Sequence, residues 1–118
     1  MKSDLCFIIT RSPREGHLGQ ETFDLVVSGG VFDRAISVLF TGAGLGHLAD
    51  HQAFSGQKSL TKLWQSAELF GVERFLVSAR EAETLHRLRL SALGERVDIL
   101  EPSDLQALLQ GSREVVVL

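Results

Sequence analysis

The 118-residue chain is 44% hydrophobic and 23% charged, enough apolar matter for one core and too much for a disordered chain. Its net charge of -3 excludes a basic field for nucleic acid, so any RNA would have to be held by another subunit. A single cysteine excludes an internal disulfide and a cysteine-rich zinc site, and the apolar stretch Leu5 to Ile9 is too short for a membrane helix. Cytosol is the expected compartment, and residues 1–118 are expected to form one domain, with no linker-like tract to divide them.

Leu5 to Thr10 is a continuous apolar run of β-formers between Asp4 and Arg11-Ser12-Pro13, the mark of a strand covered on both faces. Gln20 to about Ser28 sets Phe23, Val26 and Val27 on one helical face. A second strand spans Ile36 to Thr41, and one or two helical turns are expected over Leu45 to Asp50. Leu60, Leu63, Trp64, Ala67 and Phe70 then form a helical stripe that Gly71 can cap. After a third strand, Arg74 to Val77, a helix from Ala79 to about Ala92 turns Ala82, Leu85, Leu88 and Leu93 towards the core. Val97 to Leu100 reads as a fourth strand. A short helix is expected to start at the capping box Ser103-Asp104-Leu105-Gln106 and to close at Gly111, before a last strand, Val115 to Leu118.

This alternation predicts a three-layer α/β/α fold with a mainly parallel five-stranded sheet and right-handed crossovers. In such sheets chemistry gathers at the carboxyl ends of the strands. Arg11 to Gly19, Gly42 to Gly56 and Ser78 fall there.

Cys6 lies inside the first strand and reads as a buried small hydrophobe with a raised pKa, a poor nucleophile. Gly42-Ala43-Gly44-Leu45-Gly46 follows a strand, but His47 stands where the dinucleotide fingerprint needs glycine, and no acidic partner follows about twenty residues on. Its glycines are expected to supply positive φ or close backbone approach. His47 and His51 are four apart, yet no glutamate follows His47, so the pair reads as a solvated segment, with no metal and no cofactor expected. His17 falls in a polar loop and His86 on the outer side of its helix. Trp64 belongs to the apolar stripe and reads first as core; with Phe32, Leu45 and Leu48 it is also a candidate interface residue. Ser78 ends the third strand, and Ser78-Ala79-Arg80-Glu81 has the capping-box form, so its hydroxyl is expected to cap a helix. The same helix start would favour a thiolate if a cysteine stood there.

With these elements placed, the chain resembles the DsrE/DsrF-like family, and within it the TusC or DsrF type of subunit. The resemblance runs along the whole chain. It rests on Phe7 to Pro13 with Gly16, Gly19, Gln20 and Glu21, on Phe23-Asp24-Leu25, and on Val38 to Gly44. Lys62, Leu69 to Val72, Phe75 to Ala79 and the closing Glu114 to Leu118 complete it. It implies a heterohexamer with TusB-like and TusD-like subunits that relays persulfide sulfur to 2-thiouridine at the tRNA wobble position, or, in the DsrF branch, serves sulfur oxidation. The family's acceptor cysteine corresponds to Ser78 here, which implies a subunit that does not itself carry sulfur and has no catalytic residue of its own. Contact with tRNA is then at most indirect. The competing reading is a small-molecule or nucleotide-binding module using the Gly42 to Gly46 loop. A homo-oligomeric enzyme comes last, because no nucleophile–base pair is recognisable by spacing.

Overall fold

The computed structural model describes residues 3–12, 18–30, 35–48, 64, 66–87 and 96–118. Five strands form one sheet: β1 (Ser3–Ile9), β2 (Ile36–Phe40), β3 (Val72–Ser78), β4 (Asp98–Leu100) and β5 (Ser112–Val117). Their order is β4-β3-β2-β1-β5, and all four pairings are parallel. The expected α/β/α architecture is what the chain adopts.

Strand order dictates where the helices go. From β1 to β4 each strand is laid beside the last in one direction, so right-handed crossovers place the intervening helices on one face. There lie α1 (Leu18–Gly30) and α2 (Ala82–Arg87), with the 3-10 segments Gly42–Leu48 and Ala67–Phe70 in the connection between β2 and β3. The last crossover runs back across the sheet to β5, and its helix α3 (Pro102–Gly111) must therefore take the opposite face.

The two cores follow. Phe7, Ile9, Phe23, Val26, Val38, Phe40, Trp64, Phe75 and Leu85 belong to the larger one, where Trp64 meets Phe23, Phe40 and Phe75 edge-on at centroid distances of 5.6, 5.5 and 6.3 Å. These are favoured aromatic geometries. Cys6, Leu39, Leu76, Leu100 and Leu108 make the smaller core beneath α3.

Several boundaries and environments differ from the sequence expectations. Helix α1 is longer at both ends than Gln20 to Ser28. Helix α3 starts with Pro102 at its first turn and Glu101 as N-cap without a side-chain cap bond, so Ser103 is inside the helix and the expected capping box is not used. Proline suits that position, since its fixed φ is helical and its missing N–H would have been unsatisfied anyway. Of the helix expected over Leu45 to Asp50, residues 45–48 belong to a 3-10 segment beginning at Gly42, and residues 49–50 lie outside the described residues. Gly71 does have positive φ, +94°, as a helix-ending residue should. The last strand starts earlier than Val115, spanning Ser112–Val117, and lies at an edge of the sheet with Val115 and Val117 exposed. Leu60, Leu63, Leu88 and Leu93 fall outside the described residues.

Candidate functional site

The parallel register aligns the carboxyl ends of the three central strands. Ile8 stands beside Leu39, and Leu39 beside Leu76, all on the α3 side of the sheet. Two residues further, side chains return to the same face, which brings Thr10, Thr41 and Ser78 into a row of three hydroxyls. Each is engaged differently.

Thr10 donates its hydroxyl to the Leu118 carbonyl at 2.8 Å and its amide to the same oxygen at 3.0 Å, fastening β1 to the end of β5. Ser78 is 9% exposed, keeps extended backbone (φ -67°, ψ 142°) and accepts from the Arg80 N–H at 3.3 Å. It is therefore the N-cap of the 3-10 turn Ala79–Glu81 that leads into α2, as its place in the sequence implied. The other half of the expected capping box is absent. The Glu81 carboxylate does not turn back to Ser78; it crosses to the end of β2 and accepts from the Thr41 hydroxyl at 2.5 Å and the Gly42 N–H at 2.7 Å. A charged acceptor with two donors outcompetes a single return bond to its own turn.

Glycines shape the loop that supplies those donors. Gly42 has φ +55°, a conformation other residues adopt only with strain. A Cβ on Gly44 would stand 1.9 Å from the Ile9 carbonyl oxygen, so the 3-10 segment lies on the end of β1 and only glycine fits. Positive φ at Gly42 and close approach at Gly44 are the two roles the glycine run predicts. The loop does not offer a free phosphate cradle: the Gly42 N–H is held by Glu81 and the Gly44 N–H by the Thr41 carbonyl at 2.9 Å.

His47 corrects the sequence reading. It is fully buried rather than solvated. Trp64 Nε1–H, which can only donate, lies 3.2 Å from His47 Nδ1, so Nδ1 accepts and Nε2 carries the proton. Nε2–H then donates to the Arg11 carbonyl at 3.1 Å. One neutral imidazole thus ties together the segment after β1, the segment after β2 and Trp64. With both nitrogens occupied it has no lone pair for a metal. The signal in the sequence was weak: a histidine between Leu45 and Leu48, and one tryptophan seventeen positions on.

The remaining sequence candidates divide clearly. Cys6 is fully buried, and burial pushes its thiol up from 9.0 to about 11, as expected for a core residue. Leu45, Leu48 and Trp64 are 2%, 0% and 0% exposed, so the structure assigns them to the core and they present no area to a partner. Phe32, His17 and His51 lie outside the described residues; His86 is exposed on α2.

This arrangement, a five-stranded parallel sheet with helices on both faces and Ser78 capping the turn after β3, defines the class by its fold: a three-layer α/β/α domain. The crystal structure of the ychN protein from E. coli superposes over the whole of both chains with a TM-score of 0.74 at 9% identity, which speaks for the fold. No protein-family model matches the chain. A "Protein TusC homolog" of Pseudomonas aeruginosa is 33% identical over 120 residues, covering all of both chains. The chain belongs to the TusC family.

Proposed function

We propose that this chain is a non-catalytic subunit of a heterohexameric sulfurtransferase complex, packed beside TusB-like and TusD-like partners that pass persulfide sulfur onward. The observation that carries this reading is the pairing of Ser78 with Cys6. At the end of β3, where the family resemblance implies an acceptor thiol, stands a serine whose oxygen is engaged in capping. The chain's one thiol is fully buried in the middle of β1 and held protonated by desolvation. Neither group is a sulfur carrier.

Identity to a TusC homolog favours the branch that ends in 2-thiouridine at the tRNA wobble position over the sulfur-oxidation branch. In this reading the whole chain acts as one domain in the cytoplasm and meets tRNA only through the relay. Among the described residues no helix is long and apolar enough to cross a membrane. The reading as a nucleotide-binding module loses its main support, since the amides of Gly42 and Gly44 are already engaged.

Co-expression with TusB-like and TusD-like subunits, followed by gel filtration, tests the assembly. All three chains should elute together in equal amounts; a chain that elutes alone while the other two associate contradicts the proposal.

A further inference from the structure

The Glu81 carboxylate is hydrogen-bonded within the row of strand ends. Phe40 lies beside Val77 in the sheet, so one step further Thr41 lies beside Ser78, and neighbouring strands are about 5 Å apart. Thr41 and Gly42 hold Glu81 by two hydrogen bonds, which fixes a negative charge next to position 78 and consumes both donors that β2 presents there. Glu81 is half-buried, so water screens this charge less than one on the open surface. Among the described residues, the other charged side chains that directly follow these strands, Arg11 after β1, Arg80 after Ser78 and Glu101 after β4, are all exposed.

We propose that Glu81 is a built-in anion, seated on the Thr41 hydroxyl and the Gly42 amide, that keeps the end of β3 closed to a second anion such as a thiolate or a persulfide. The chain is then excluded from carrying sulfur twice over, by the side chain at position 78 and by the charge beside it. A cysteine substitution alone would give a thiol whose thiolate the neighbouring charge disfavours. The biological sense of this closure rests on the proposed non-carrying role; the electrostatics of the strand ends do not.

The test is therefore made on the isolated full-length chain, independent of partners. Ser78→Cys is prepared alone and combined with Glu81→Gln, Glu81→Ala or Glu101→Gln, and the rate of reaction with the neutral disulfide 4,4′-dithiodipyridine is followed against pH. In that reaction the introduced thiol first loses its proton to solvent. Its thiolate then attacks one sulfur of the reagent, forming a mixed disulfide and expelling thiopyridone. Wild-type protein is the blank, because Cys6 is fully buried, and emission of the single tryptophan, Trp64, confirms folding of each variant.

Removing the Glu81 charge by either substitution should lower the midpoint of the rate profile by about one pH unit, about tenfold in rate near neutral pH, with the alkaline plateau unchanged. Glu101→Gln, an exposed charge of the same sign, should leave the midpoint where Ser78→Cys alone has it. An unchanged midpoint in both Glu81 variants overturns the proposal. So does a gain confined to the alkaline plateau, which would mean that Glu81 only shields position 78 from the reagent, or an equal shift with Glu101→Gln.

Discussion

The middle of the sheet and its carboxyl edge are built from different chemistry, although the same strands supply both. In the middle, on the α3 side, Cys6, Leu39 and Leu76 lie in an apolar layer closed by Leu100 and Leu108. A few residues along, Thr10, Thr41 and Ser78 each make a specific hydrogen bond, and Glu81 and His47 each join segments distant in sequence. Packing in the middle tolerates exchange of similar volumes. Bonds at the edge depend on particular atoms. The difference teaches why the chain's thiol is inert: Cys6 stands in the apolar middle of a strand, where burial raises its pKa to about 11.

The largest expected effect breaks the edge. Gly44→Ala puts a methyl group where the Ile9 carbonyl already is, and the backbone of β1 or of the 3-10 segment must shift. Urea denaturation should show a loss of about 3 kcal/mol or more. An effect below about half of that would mean the two segments are not fixed on each other as described.

Next comes a polar atom placed in the middle. Cys6→Ser buries a hydroxyl in the apolar layer and should cost about 2 kcal/mol. It should also change the alkaline limb of stability. Because the folded thiol titrates higher than the unfolded one, its contribution is complete below about pH 9 and is lost as pH rises through about 11. Equilibrium unfolding across that range should show this limb in the wild type and not in the serine variant. The smallest effect is at the end of β3, where Ser78→Ala removes a cap of modest geometry and should cost about 1 kcal/mol by the same assay. A cost equal to that of Cys6→Ser would erase the distinction between middle and edge.

Much of the fold was legible because its signals are local. Apolar runs such as Ile36 to Phe40, which is buried throughout, report on their own segment. Ser78 was legible for the same reason, being bonded two residues away. What escaped reading depends on neighbours far along the chain. Glu81 fits a local capping box, but Thr41 and Gly42, about forty residues earlier, offer two donors where the turn offers one. His47 looks solvated until Trp64 and the Arg11 carbonyl close around it. Val115 and Val117 have the composition of covered strand residues, and only the strand order, with β5 outermost, exposes them.

We propose that this chain serves a sulfur relay without taking sulfur. The most direct measurement is intact mass spectrometry of each subunit after the assembled complex has been charged by a cysteine desulfurase with free cysteine. The account predicts that a partner subunit gains the mass of one sulfur atom while this chain keeps its unmodified mass. A sulfur adduct on this chain, at Cys6 in the folded complex, would contradict it.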